Sequence, residues 1–333
     1  MQDLKGKVVF VAGASTGLGR AIAKGLVRRG AHVTLFARTK AVLENAKDEL
    51  LDVRVTSTQE IRAIPVDLAD ARQVDAVFRA EPRLPDALYC VAGGVAAEIG
   101  LFSDISPETL EICMRKNYFT SAFPVHTLVK IWRDDDEKAM EDLNNGLTVR
   151  LQPTVRQIVF INSAAALAGI PGYDAYTPAK CAQRGLADTL RQELLMYSSP
   201  TSRYSVHCAF PGSFLSDSFI IEQRGKPELT KHIEKTTGDL EEVMGRIPSA
   251  DVIAERIIAG VAKGDFAICS DWETEVLWSN MIGPSPKRGW GVVDTMLGLL
   301  SGIVIWPIMR RNWDAMSVKF GKPGQTVAKP VVV

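Results

Sequence analysis

Two rhythms of apolar and polar positions alternate over most of the chain. Short apolar runs recur at KVVFVAG (7–13), HVTLFA (32–37), IRAIPVD (61–67), ALYCVAG (87–93), RQIVFIN (156–162), YSVHCAF (204–210) and FAICS (266–270). Runs this short and this apolar, closed by glycine or a polar turn, predict strands buried on both faces. Between them lie segments of helical period. In GRAIAKGLVRRG (19–30), Ile22, Leu26 and Val27 share one side, and Arg28 and Arg29 supply the basic C-terminal end. Strands separated by helices predict an α/β fold with a doubly wound parallel sheet, its ligands bound at the carboxyl ends of the strands.

Two segments break the rhythm. Residues 133–155 (RDDDEKAMEDLNNGLTVRLQPTV) are charged and begin with three aspartates after Arg133. The expectation is a solvated surface insertion rather than a metal-binding cluster. After FPG, residues 213–250 carry Phe214, Leu215, Phe219, Ile220 and Ile221 and then a polar helix. This stretch reads as a lid over a site or as a long surface excursion, with Glu222 and Asp217 expected on its solvated face.

The first strand runs into GASTGLG, which places Gly13, Gly17 and Gly19 between a strand and a helix start. Glycine permits the tight turn and a close backbone approach, and the helix N-terminus offers free N–H groups to a pyrophosphate. Ser15 and Thr16 add hydroxyl donors. An NAD site needs a carboxylate at the end of the second strand. Here the strand ends in LFARTK, with Arg38 and Lys40 and no acid. A guanidinium fork suits a 2′-phosphate, so the expected cofactor is NADPH.

Charge and composition narrow the field. Lys plus Arg and Asp plus Glu are equal at 39 each, which argues against a nucleic-acid partner. The five cysteines form no CxxC pair and only four histidines are present. Free thiols in a reducing compartment, with no metal site, are expected. The opening MQDLKGKVVFVAG has no basic head followed by a long apolar run, so the catalytic part is expected to face the cytosol.

The densest chemistry lies in NSAAALAGIPGYDAYTPAKCAQRGLADTLRQEL (162–194). Tyr176 and Lys180 are one helical turn apart and can face the same way. A nearby ammonium favours tyrosinate, so Lys180 is expected to lower the Tyr176 pKa and make it a usable acid. Ser163 follows a strand, where its hydroxyl can hold a carbonyl oxygen while Tyr176 protonates it.

With these residues the chain resembles the short-chain dehydrogenase/reductase family over roughly residues 5–270. The resemblance implies a Rossmann-type fold in a catalytic domain spanning 1–270, with residues 271–333 as an apolar C-terminal extension. It implies cofactor contacts from Gly13, Ser15, Thr16, Gly17, Leu18, Gly19, Arg38, Lys40, Asp67, Leu68, Ala92, Gly93, Tyr176, Lys180, Pro211, Gly212 and Ser213. It also implies that Ser163, Tyr176 and Lys180 are catalytic, with Asn117 holding a water in a proton relay to Lys180. The usual NNAG is here Cys90-Val91-Ala92-Gly93, which keeps Ala92 and Gly93 but loses the asparagines and the strand-end hydrogen bonds they make. FARTK, KNYFTSAF, FPGSFLSD and the apolar ending resemble the fungal-like 3-ketodihydrosphingosine reductase sub-family. That likeness implies NADPH-dependent reduction of a long-chain keto-amine lipid at the endoplasmic reticulum membrane, by a homo-oligomer. A steroid, retinoid or acyl-chain ketone reductase would share the same site residues, and a non-catalytic NADPH-binding protein would share the fold.

The chain also carries an apolar stretch near its end, from Gly289 to Met309, interrupted by Asp294. As a helix it would be about 31 Å long, against a hydrocarbon thickness of about 30 Å. Trp290 and Trp306 sit near its ends, and basic pairs flank both sides (Lys287 and Arg288, Arg310 and Arg311). A bilayer span, a helix lying on the membrane and a subunit-interface helix all remain open. A lipid substrate would give the tail its purpose.

Overall fold

A computed structural model of the chain describes residues 4–95, 98–146 and 152–279, with residues 301–305 and scattered positions between 292 and 311. Its centre is a seven-stranded sheet made of β1 (Val8–Ala12), β2 (His32–Ala37), β3 (Ile61–Pro65), β4 (Ala87–Cys90), β5 (Thr154–Ile161), β6 (Ser202–Phe210) and β7 (Ala267–Cys269). All neighbours pair in parallel, in the order β3-β2-β1-β4-β5-β6-β7. The order reverses between β1 and β4, which opens a crevice at the carboxyl ends of the strands.

Eleven α-helices complete the described part: α1 (Gly17–Val27), α2 (Lys40–Leu51), α3 (Ala71–Arg79), α4 (Pro107–Met114), α5 (Thr120–Asn144), α6 (Tyr176–Tyr197), α7 (Asp217–Gly225), α8 (Glu228–Ile233), α9 (Leu240–Arg246), α10 (Ala250–Lys263) and α11 (Trp272–Ser279). Alternate residues of each strand point to opposite faces. Val9, Val11, Val33 and Leu35 therefore pack with Ile22, Leu43 and Ile257 on one side of the sheet. Phe10, Phe36, Leu88, Ile158 and Phe160 pack with Phe78, Leu128 and Trp132 on the other. The Phe10, Phe36 and Phe78 rings meet with centroids 4.8–5.3 Å apart, and the buried Trp132 indole donates to the Pro85 carbonyl at 2.9 Å.

The charged segment after Arg133 corrects the expectation of a solvated insertion. It continues α5 through Asn144, and residues 147–151 lie outside the described part. Asp134 and Glu137 do stay exposed. Asp136 is buried, however, because the helix turns it onto the amino ends of β5 and β6. There Arg156, which is 1% exposed, reaches Asp135 and Asp136 at 2.5 Å each. Asp136 also accepts hydrogen bonds from the Ser202 and Tyr204 hydroxyls. Coiled sequence and charge predicted water here; an arginine two residues into a strand decided otherwise.

Residues 213–250 form α7, α8 and α9 over the carboxyl ends of the strands. The Leu215 amide bonds the Pro248 carbonyl at 2.9 Å and ties the two ends of this excursion together. About half of the apolar stretch 289–309 lies outside the described residues. Among those described, Ser301–Ile305 makes a π-helical turn, and Val292, Met296, Ile303 and Ile308 are exposed. No helix of the described residues is long and apolar enough to cross a membrane.

Candidate active site

One cavity of about 1310 Å³ lies over the crevice, and the predicted phosphate loop forms one wall. Gly13 has φ +96°, and a Cβ there would stand 2.3 Å from the Ala92 amide nitrogen. A Cβ on Gly19 would meet the Gly13 carbonyl oxygen at 2.0 Å. Only hydrogen fits at either position, so the loop lies close against the strand end and presents the N-terminus of α1 to the cavity. Ser15, Thr16, Gly17 and Leu18 line the same wall, as do Arg38, Asp67, Leu68, Ala92, Gly93, Pro211, Gly212 and Ser213. This set fits a dinucleotide. Lys40 does not join it: it opens α2, is exposed and is absent from the cavity wall. Arg115, which sequence reasoning passed over, stands on this wall 3.8 Å from the Asp67 carboxylate.

The replaced asparagines are compensated by backbone and by Thr120. The Val91 and Ala92 amides both donate to the Ala12 carbonyl at 2.8 Å. The Thr120 hydroxyl lies 2.7 Å from the Lys116 carbonyl and 3.3 Å from that of Ala92.

Ser163 caps a short 3-10 turn just after β5, and α6 begins at Tyr176. Asn162 joins the two: its Oδ1 accepts from the Ser163 amide at 2.8 Å, and its Nδ2 donates to the Lys180 carbonyl at 3.0 Å. Ser163 and Tyr176 both stand on the cavity wall. Lys180 Nζ lies 5.8 Å from the Tyr176 ring centroid and donates to the Ile161 carbonyl at 3.0 Å.

The electrostatics correct one expectation. Burial raises the Tyr176 pKa above its ordinary value, with the Ser163 hydrogen bond opposing that shift and Glu222 and Glu234 adding to it. Burial lowers the pKa of Lys180 in turn, to about 8.

Asn117 occupies a π-helical turn, Arg115–Phe119, between α4 and α5, and is fully buried. Its Oδ1 accepts from the Gly94 amide at 2.7 Å, and its Nδ2 donates to the Cys113 carbonyl at 3.0 Å. A Cβ on Gly93 would stand 2.6 Å from Asn117 Oδ1 and 3.5 Å from Lys180 Nζ. Asn117, Gly93 and Lys180 therefore meet behind the cavity wall. π-Turns concentrate at functional sites, but hydropathy does not reveal them.

A second group stands beside Tyr176. The Tyr173 ring centroid is 5.8 Å from that of Tyr176. Its hydroxyl lies 2.5 Å from Glu222 Oε1 and 2.9 Å from Glu234 Oε1, and shares its proton between them. Lys226 Nζ lies 2.7 Å from Glu222 and 2.5 Å from Glu234. Glu222 is thus not part of a solvated lid face, whereas Asp217 is exposed. Burial raises the Glu222 pKa, and Lys226 opposes that rise.

The short chain dehydrogenase model matches residues 7–140. A 3-ketodihydrosphingosine reductase of Neurospora crassa is 32% identical, over 92% of this chain and 80% of that one. The chain belongs to the short-chain dehydrogenase/reductase family. A fusion protein of Schizosaccharomyces pombe, named for PIGF and 3-ketodihydrosphingosine reductase, is 30% identical over 94% of this chain; the chain spans 57% of its length. In three dimensions the fold matches a short-chain dehydrogenase of Burkholderia phymatum, solved with NAD. The TM-score is 0.65 at 18% identity, over 84% of this chain and 94% of that one. The glycine wall, Ser163, Tyr176 and Lys180 thus lie together in a short-chain reductase.

Proposed function

We propose that this short-chain reductase converts 3-ketodihydrosphingosine to dihydrosphingosine in sphingolipid biosynthesis, with NADPH as reductant. The observation that carries the reading is that Ser163, Tyr176 and Lys180 share a cavity wall with the glycine loop, in a chain whose fungal relatives bear that activity's name. Arg38 at the end of β2, with no acid beside it, supports NADPH over NADH.

When bound, NADPH supplies a hydride to the carbonyl carbon. The protein's residues manage the oxygen and the proton. Ser163 Oγ donates to the ketone oxygen and holds it against Tyr176. The Tyr176 hydroxyl releases its proton to that oxygen as negative charge develops there. Lys180, held by the Ile161 carbonyl, stabilises the tyrosinate left behind, and Asn117 and Gly93 lie on the inner side of Lys180 for the proton's return.

The same reading seats the protein at the endoplasmic reticulum membrane as a homo-oligomer, with the catalytic domain in the cytosol. The apolar 289–309 stretch and a substrate that stays in lipid support it. Flotation with phosphatidylcholine vesicles tests the membrane part: full-length chain that stays at the bottom of the gradient refutes it. The decisive assay follows NADPH absorbance with purified protein and 3-ketodihydrosphingosine in detergent micelles, beside NADH and a short water-soluble ketone. Turnover of the lipid with NADPH is expected. Turnover of a steroid or retinoid instead, with none of the lipid, rejects the substrate.

A further inference from the structure

Reduction of a plain ketone needs Ser163, Tyr176, Lys180 and a cofactor. It makes no use of the Tyr173, Glu222, Lys226 and Glu234 group, yet both carboxylates stand on the wall of the same cavity. Their charges do not balance. Lys226 has no side-chain exposure and sits behind the wall, whereas Glu222 and Glu234 keep 13% and 15%. Two carboxylates therefore face the cavity over one ammonium. The contacts described engage Oε1 of Glu222 and both oxygens of Glu234. None of them engages Glu222 Oε2.

Other carboxylates on the wall already have their own roles. Glu98 holds Lys116 at 3.1 Å, and Glu273 holds Lys235 at 2.7 Å. Asp271 accepts from the Ser270 hydroxyl and the Thr274 amide. Asp67 lies at the far side of the crevice, at the end of β3, beside Arg115. Among the described residues, only the Tyr173 group combines surplus negative charge with a place next to Tyr176. Because the ketone oxygen must lie against the Tyr176 hydroxyl, a group on the carbon next to the carbonyl falls on the neighbouring wall. The Tyr173 ring is that neighbour.

We propose that Glu222 and Glu234, aligned by Tyr173 and Lys226, seat the protonated amine of the substrate and make the enzyme selective for ketones with an ammonium on the adjacent carbon. This deepens the substrate reading above and rests on it. Tyr173 keeps its proton beside two carboxylates and holds them apart as a fixed donor, while Lys226 bridges both from behind. The seat also acts on the chemistry. Glu222 and Glu234 oppose formation of a tyrosinate at Tyr176, and an ammonium placed between them cancels that opposition. An amine-bearing ketone should therefore gain in kcat as well as in KM, a signature that a merely structural role for the carboxylates would not give.

The test compares kcat/KM for 3-ketodihydrosphingosine and for the same ketone lacking the amine, in identical micelles. The wild type should prefer the amine by at least about tenfold, as expected for a hydrogen bond to a charged group. Glu222→Gln and Glu234→Gln, each checked for NADPH binding, should bring that ratio close to one. A ratio unchanged in either folded variant overturns the seat. Should both variants fail to fold, wild-type inhibition by dihydrosphingosine and by its N-acetyl derivative decides. A Ki gap of about tenfold favouring the free amine supports the seat, and equal values overturn it. Wild-type protein that reduces both ketones equally refutes the amine seat alone. Wild-type protein that reduces neither refutes the seat and the proposed function together.

Discussion

Two buried charged networks lie at opposite ends of the sheet. At the amino ends of β5 and β6, Arg156 meets Asp135 and Asp136, and the Ser202 and Tyr204 hydroxyls complete the shell around Asp136. Beyond the carboxyl ends, Lys226 meets Glu222 and Glu234, with Tyr173 between the two carboxylates. Both place one cation against two carboxylates and a tyrosine. In the first, Arg156 and Asp136 are buried against the strand ends, and Arg156 also stacks 5.6 Å from the Trp132 ring. The second opens onto the cavity. The same chemistry is a fastener where water and ligand are shut out, and a receptor where they are admitted.

The largest separation between the two ends should come at Tyr176. Tyr176→Phe should reduce turnover by a factor of about 10² to 10⁴ while NADPH binding, read by fluorescence, persists. Full activity in that variant would remove the proton donor from the scheme. At the other end, Asp136→Asn should cost about 3–5 kcal/mol of stability, the usual penalty for breaking a buried pair from one side. Urea unfolding measures it, and kcat of the folded fraction should stay near wild type. Replacing Arg156 and Asp136 together by Met and Leu should recover much of the loss. If the double replacement is as unstable as the single one, the fastener is needed for its charge rather than for its fit.

Lys180 gives a smaller effect with a defined sign. Burial holds its folded pKa near 8, below the ordinary 10.5, so the folded state binds fewer protons than the unfolded state between those values. Its destabilising contribution is present in full below about pH 8 and fades as pH rises towards 10.5. Relative to Lys180→Met, the wild type should gain stability across that window at up to about 1.4 kcal/mol per pH unit. Parallel unfolding curves at pH 7 and pH 10 check this, and a gap that does not narrow contradicts the buried ammonium. The exposed Arg79–Asp75 pair, one helical turn apart at 3.1 Å, supplies the baseline. Arg79→Ala should change stability by no more than about 0.5 kcal/mol.

Strand positions, the glycine loop and the Ser163, Tyr176 and Lys180 set were legible in the sequence because each is local. A buried parallel strand writes itself as an apolar run, and a tight phosphate loop writes itself in glycine. What stayed hidden depended on contacts far apart along the chain. Asp136 looked solvated until Arg156, Ser202 and Tyr204 came beside it. Glu222 looked like a lid charge until Tyr173, 49 positions earlier, placed it on the catalytic wall. The Tyr176 pKa was misjudged because a motif names the neighbouring charge and says nothing of burial.

The π-turn at Arg115–Phe119 carries one residue more than a regular helix would hold at that point. Deleting a residue there would let α4 and α5 join as one continuous helix with ordinary hydrogen bonds, and the fold would survive. The two halves would, however, be re-indexed by about 100° relative to each other. Either Asn117 would swing away from Gly93 and Lys180, or Trp132 would leave the core. The spare residue thus works as a phase-shifter, letting one rod serve a catalytic corner at its start and a packed interior along the rest.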